Sequence, residues 1–179
     1  MNEKKPPRSP DDFVIYIRRL SSEYTRRLSL NINSETSQKL VVRSSRIEAN
    51  EFLKRNAYYI GKHINERGLR ENLVLHVSQM AHKYRGKRSG FANKNASIFV
   101  WVLRLVVIHQ ARKGRDEINR KTMSKYAHQL DYAALHNIHH NWLTEFLKVA
   151  GTDQNISDGL KTAARINVSK HWLQPKSAT

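Results

Sequence analysis

Ile98–Ile108, reading IFVWVLRLVVI, decides the fold of this chain. Ten of its eleven residues are apolar and Arg104 is the exception. The β-branched content would suit a buried strand. The polar flanks Asn95–Ser97 and His109–Lys113 extend the run to helix length, however, and length decides between the two. The reading is a central helix that stops at Gly114, a residue free to adopt the left-handed cap. The run is well short of the roughly 20 apolar residues needed to cross a bilayer, so it predicts a core element and no membrane partner.

Upstream of this run, Leu69, Leu73, Val74, Val77, Met80, Ala81 and Tyr84 line one face of a helix over Leu69–Tyr84, the strongest helical periodicity in the chain. Before it, Ser45 and Glu48 have the spacing of a capping box, which predicts a helix start. Ile47, Phe52, Tyr59, Ile60 and Ile64 follow, and Gly68 is the expected stop. Over Leu30–Ser45 the reading is open: Asn31, Asn33 and Ser34 suggest a turn, and Leu40–Val42 suits a short strand or a helical turn. The first helix is expected at Asp11–Asp12, where acidic residues favour a helix N-terminus. Phe13, Ile17, Leu20, Tyr24 and Leu28 form its inner face, and Arg18, Arg19, Arg26 and Arg27 its outer one. Residues 1–10, with three prolines and two basic clusters, predict a disordered basic arm.

Downstream, helices are expected over 116–130, 131–150 with Gly151 as the stop, and 157–172. Leu135, Ile138, Trp142, Phe146 and Val149 form the apolar stripe of the second. The polar tail 174–179 reads as frayed. There is no internal repeat or heptad seam. The expected fold is all-α: a single compact bundle of about six helices over 11–173.

Charge indicates the partner. The 179 residues hold 32 Lys and Arg against 15 Asp and Glu, a formal charge of +17. The pI of about 10.4 is typical of nucleic-acid-binding domains. With no cysteine, disulfides, thiolate nucleophiles and cysteine-bound zinc are excluded together. Met1–Pro10 has no apolar core of a secretory signal, which predicts a cytoplasmic protein.

The charge is concentrated. From Asn72 to Arg115 there is no carboxylate, yet Lys83, Arg85, Lys87, Arg88, Lys94, Arg104, Arg112, Lys113 and Arg115 all fall there. Phosphate is the commonest outside partner for such a block, because neutralising a nucleic-acid backbone releases its condensed counterions. Lys83, Arg85, Lys87, Arg88 and Lys94 are expected to grip phosphates before the central helix. Arg112, Lys113, Arg115, Arg120, Lys121 and Lys125 are expected to do so after it, roughly 27 Å away if the helix has some 18 residues. Tyr84 and Phe91, interleaved with the first cluster, are candidates for stacking on bases.

A candidate helix-turn-helix covers 121–147, with a positioning helix to Leu130, a turn at Asp131 and a reading helix over Tyr132–Leu147. Its outward face would present His136, Asn137, His140, Asn141, Thr144 and Lys148. Of these, His136, His140, Asn141 and Lys148 are candidate base contacts. The competing interpretation is two ordinary core helices meeting at a turn. His136 and His140 also have metal-ligand spacing, but no third ligand is evident, and no metal or cofactor is expected. With no paired carboxylates, glycine-rich phosphate loop or serine elbow, the expectation is a binding protein rather than an enzyme. Its partner is DNA or RNA. The role is that of a sequence-specific DNA-binding regulator or a replication or partition factor, or of a helical subunit of a larger ribonucleoprotein that binds single-stranded nucleic acid and has protein neighbours. An adaptor docking on an acidic protein is the reading from another class.

Overall fold

The computed structural model describes residues 9–29, 38–85, 95–111, 118–151, 153–162, 168 and 170–175; for 38–45, 83–85, 153, 154, 157, 161 and 162 it describes the backbone alone. Within these residues the chain is all-α, with seven α-helices and no strand. It divides into two compact units at Ile118/Asn119, a division the sequence reading did not draw.

The first unit holds α1 (Pro10–Ser29), α2 (Gln38–Glu66), α3 (Arg70–Arg85) and α4 (Ile98–Ala111). The decisive stretch is α4, a helix and not a strand. Eleven of its fourteen residues are buried, because α1, α2 and α3 all pack on it. Its fourteen described residues span about 20 Å, and the expected stop at Gly114 lies outside the described residues. Arg104, counted among the unpartnered cations, lies half-buried over the indole of Trp101 at 5.7 Å. One of the nine charges of that window therefore serves packing within the unit.

Side chains fix the helix crossings. Ser21 Oγ, buried on α1, donates to Val106 O of α4 at 3.2 Å, and Tyr24 OH donates to Asn50 Oδ1 of α2 at 2.9 Å. Gly61 brings α2 close to α4: a Cβ there would lie 2.5 Å from Phe99 Cε1. Arg70, at the start of α3, donates to Ala96 O at 2.7 Å and so ties down the approach to α4.

In the first unit the capping box is not where the sequence reading placed it. The capping box is at Ser9 and Asp12: Asp12 N–H donates to Ser9 Oγ at 3.2 Å and Ser9 N–H to Asp12 Oδ2 at 3.0 Å. Pro10 takes the first helical position, where its missing N–H is no loss. Ser45 and Glu48 have the same spacing but lie inside α2, which starts at Gln38, so Leu40–Val42 is helical. Ile47, expected in the core, is 50% exposed. Gly68 stops α2 as expected: it has φ +66°, its N–H donates to Asn65 O, and Leu69 N–H donates to Ile64 O.

The second unit holds α5 (Arg120–Leu135), a 3-10 helix His140–Trp142, α6 (Leu143–Ala150), α7 (Asp153–Thr162) and a 3-10 helix Lys170–Leu173. The expected breaks at Asp131 and Ser157 are absent, because α5 runs unbroken through Asp131 and α7 starts earlier. The stop is Asn137, at φ +54°. Its N–H donates to Ala134 O at 2.9 Å, and Ile138 N–H reaches back to Ala133 O at 3.1 Å. Asparagine is the commonest residue after glycine in that left-handed position. Buried Ile138 seals the cap from the apolar side.

Candidate nucleic-acid interface

The Asn137 stop undoes the proposed reading helix. His136 is 5% exposed, with Nδ1 2.9 Å from Tyr132 O and its ring against Tyr132 and Phe146. It belongs to the core of the second unit rather than to an outward reading face. Because the helix ends between them, His136 and His140 do not share a face, and the metal-ligand spacing has no geometric meaning. No group of three metal-ligating side chains occurs among the described residues. The phase of the apolar stripe resets as well: Ile138 and Phe146 are buried, whereas Val149 is 62% exposed.

His140 and Asn141 lie in the 3-10 helix, half-buried, and Lys148 is exposed on α6. These three remain at the surface, but on two short elements rather than one long reader. With eight residues, α6 is only about 12 Å long.

Of the phosphate-gripping candidates, Arg120, Lys121 and Lys125 are described, and all three are exposed on the first two turns of α5. Lys121, Lys125 and His128 follow one side of the helix, about 6 Å and 10.5 Å along its axis from the first. Asn119 caps α5, its Oδ1 accepting from Thr122 N–H at 2.8 Å. The first turn contains no acidic residue. Arg120 and Lys121 therefore stand at the positive end of the helix dipole, which costs the helix about 0.3–1 kcal/mol per charge at low salt. Neither forms an ion pair with a carboxylate among the described residues. An anion laid against this turn relieves both strains at once.

Lys83, Tyr84 and Arg85 form the last turn of α3, where cations suit the dipole, but their side chains lie outside the described residues. Lys87, Arg88, Phe91, Lys94, Arg112, Lys113 and Arg115 also lie outside them.

Two arginines of α1 are committed to a local role. Glu23 receives Arg26 at 2.7 Å and Arg27 at 2.9 Å. The Arg26 guanidinium hydrogen-bonded to it is the main reason its carboxyl is held down at about 2. Arg27 also lies over the Phe52 ring at 4.0 Å. Arg18 and Arg19 stay exposed on α1.

Trp142, which the sequence reading assigned to a core stripe, and His171, which it assigned to a helix over 157–172, meet at the surface of the second unit. The chain returns after α7 so that His139 N–H donates to Trp172 O at 2.8 Å, and Trp142 Nε1–H donates to Gln174 O at 3.0 Å. His171 stands edge-on to Trp142 at 4.8 Å, and His139 and His140 lie 4.2 Å apart. The density of aromatic and imidazole residues at 136–142 and 171–172 was the available signal.

No family model matches this chain, and no curated protein or solved structure matches it either. No helix among the described residues is long and apolar enough to cross a membrane.

Proposed function

We propose that the protein binds nucleic acid through its phosphate backbone, as a binding protein rather than an enzyme. The observation that carries this reading is the window from Asn72 to Arg115, which has nine cations and no carboxylate. It is supported by the continuation of the charge onto α5, where Arg120 and Lys121 occupy a helix end that their charge destabilises. A charge placed against local stability points to an outside anion. The short α6 and the inward His136 favour backbone tracking over duplex reading by a helix in the major groove.

The test is a salt titration of binding to fluorescent DNA and RNA oligonucleotides. Six to ten phosphate contacts would lower affinity by roughly 10³–10⁵-fold between 50 and 200 mM salt. Replacing Arg120, Lys121 and Lys125 with Gln should make the log–log slope shallower by roughly 2–3. A flat salt response overturns the reading. Equal binding by polyglutamate of matched charge transfers it to an acidic protein partner.

A further inference from the structure

Resting on the reading above, we infer that the half-exposed rings of the second unit form a stacking surface for unpaired bases, so that the partner is a single-stranded segment. The rings are His139, His140, Trp142 and His171. None belongs to the apolar floor, which consists of Tyr132, His136 and Phe146, all buried. Trp142, His139 and His140 are half-buried and His171 is exposed. They are held from two distant parts of the chain by the hydrogen bonds that Trp172 O and Gln174 O accept. Such preorganisation of flat side chains lowers the entropic cost of stacking.

Charge complementarity identifies the occupant. Residues 119–179 carry eight Lys and Arg against four acids, with five of the nine histidines. Lys170 is exposed immediately beside His171 and can neutralise the phosphate of a base stacked there. Duplex bases present only their edges, so rings of this kind are useful only where bases are unstacked. The ligand is therefore a strand of nucleotides with free base faces, recognised with little dependence on sequence.

The probes are oligothymidylate of about twelve nucleotides, the same phosphodiester without bases, and a duplex of equal length. Of the three tryptophans Trp101 is buried, while Trp142 and Trp172 are half-buried and both lie against His171, so quenching of tryptophan fluorescence by a strand reports mainly on this end of the second unit. Oligothymidylate should quench it and bind more tightly than the abasic strand, by about 5- to 150-fold, the range that stacking spans. In His171→Ala and Trp142→Leu the ratio of the two affinities should fall toward one. His171→Ala is the safer variant, because its ring is exposed, and circular dichroism checks both folds. If oligothymidylate and the abasic strand bind equally and neither quenches, the stacking surface is refuted while backbone binding stands. Tighter binding of the duplex than of oligothymidylate also refutes it. If no probe binds at low salt, the proposed function itself fails.

Discussion

Gly61→Ala tests the crossing of α2 and α4 on which the first unit is built. The new Cβ would stand 2.5 Å from Phe99 Cε1 and 2.6 Å from Cδ1, so the ring must retreat by roughly 1 Å to reach ordinary contact. It has little room to do so. Phe99 is 3% exposed and stacks on the fully buried Tyr58 ring with centroids 5.5 Å apart. Overpacking of this kind costs about 1–3 kcal/mol. Alanine returns about 1 kcal/mol through its better helix propensity. The expected net loss is about 1 kcal/mol, or a fall of some 4 °C in midpoint for a body of this size. Urea denaturation of the full chain measures it, and Phe99→Leu completes a double-mutant cycle. Leucine should relieve the clash, giving a favourable coupling of at least about 0.5 kcal/mol. A Gly61→Ala protein that is more stable than the parent, with an additive cycle, would refute the close approach.

Three further outcomes follow from the helix ends and two half-buried histidines. Asn137→Val should cost about 1–2 kcal/mol, since a β-branched residue is strained at positive φ, while Asn137→Gly stays near neutral; thermal melts distinguish them. Ser9→Ala should lose about 1 kcal/mol with its cap, read from the denaturation midpoint. Burial holds the His76 imidazole below its ordinary value, with the Arg18 charge adding to this and the Asp11 carboxylate opposing it. Burial lowers His63 too, despite Glu66 Oε2 at 3.2 Å. The unfolded chain then binds these protons more readily than the folded one. Stability is therefore full above about pH 6.5 and falls as the pH drops through that value toward the lowered one. Melting midpoints should decline from pH 7.5 to 5, roughly the span over which histidine titrates, and decline less in His76→Gln. Glu23, held at about 2, does not titrate in that interval.

The elements with strong internal evidence were legible. Ile98–Ile108 is long and apolar all round, as a helix enclosed by others must be, and Gly68 has the conformational freedom that its left-handed cap requires. The errors arose where one local pattern fits two sites. Ser9–Asp12 and Ser45–Glu48 have equivalent cap spacing, and only the helical course of Leu40–Val42 decides that the second lies mid-helix. Asp131 and Asn137 are both acceptable turn residues. The buried Ile138 behind Asn137 makes the difference, and that is a tertiary fact. Once the stop moves six residues, His136 turns inward and Val149 outward. The charged window was visible from composition alone. The meeting of Trp142 with His171 was not, because these rings, 29 residues apart, are brought together by a backbone bond from His139 to Trp172 and by the Trp142 indole's bond to Gln174 O, which no local period announces.

The Ser21–Val106 hydrogen bond joins residues 85 positions apart. At about 5–20 residues per second of synthesis, α1 waits roughly 4–17 s for the helix that covers it. Until then the surfaces of α1, α2 and α3 that α4 covers stay open as each is made, in a chain already rich in positive charge. A ribosome stalled before Ile98 would release a fragment needing a chaperone, whereas one stalled after Ala111 would release a body with its centre in place.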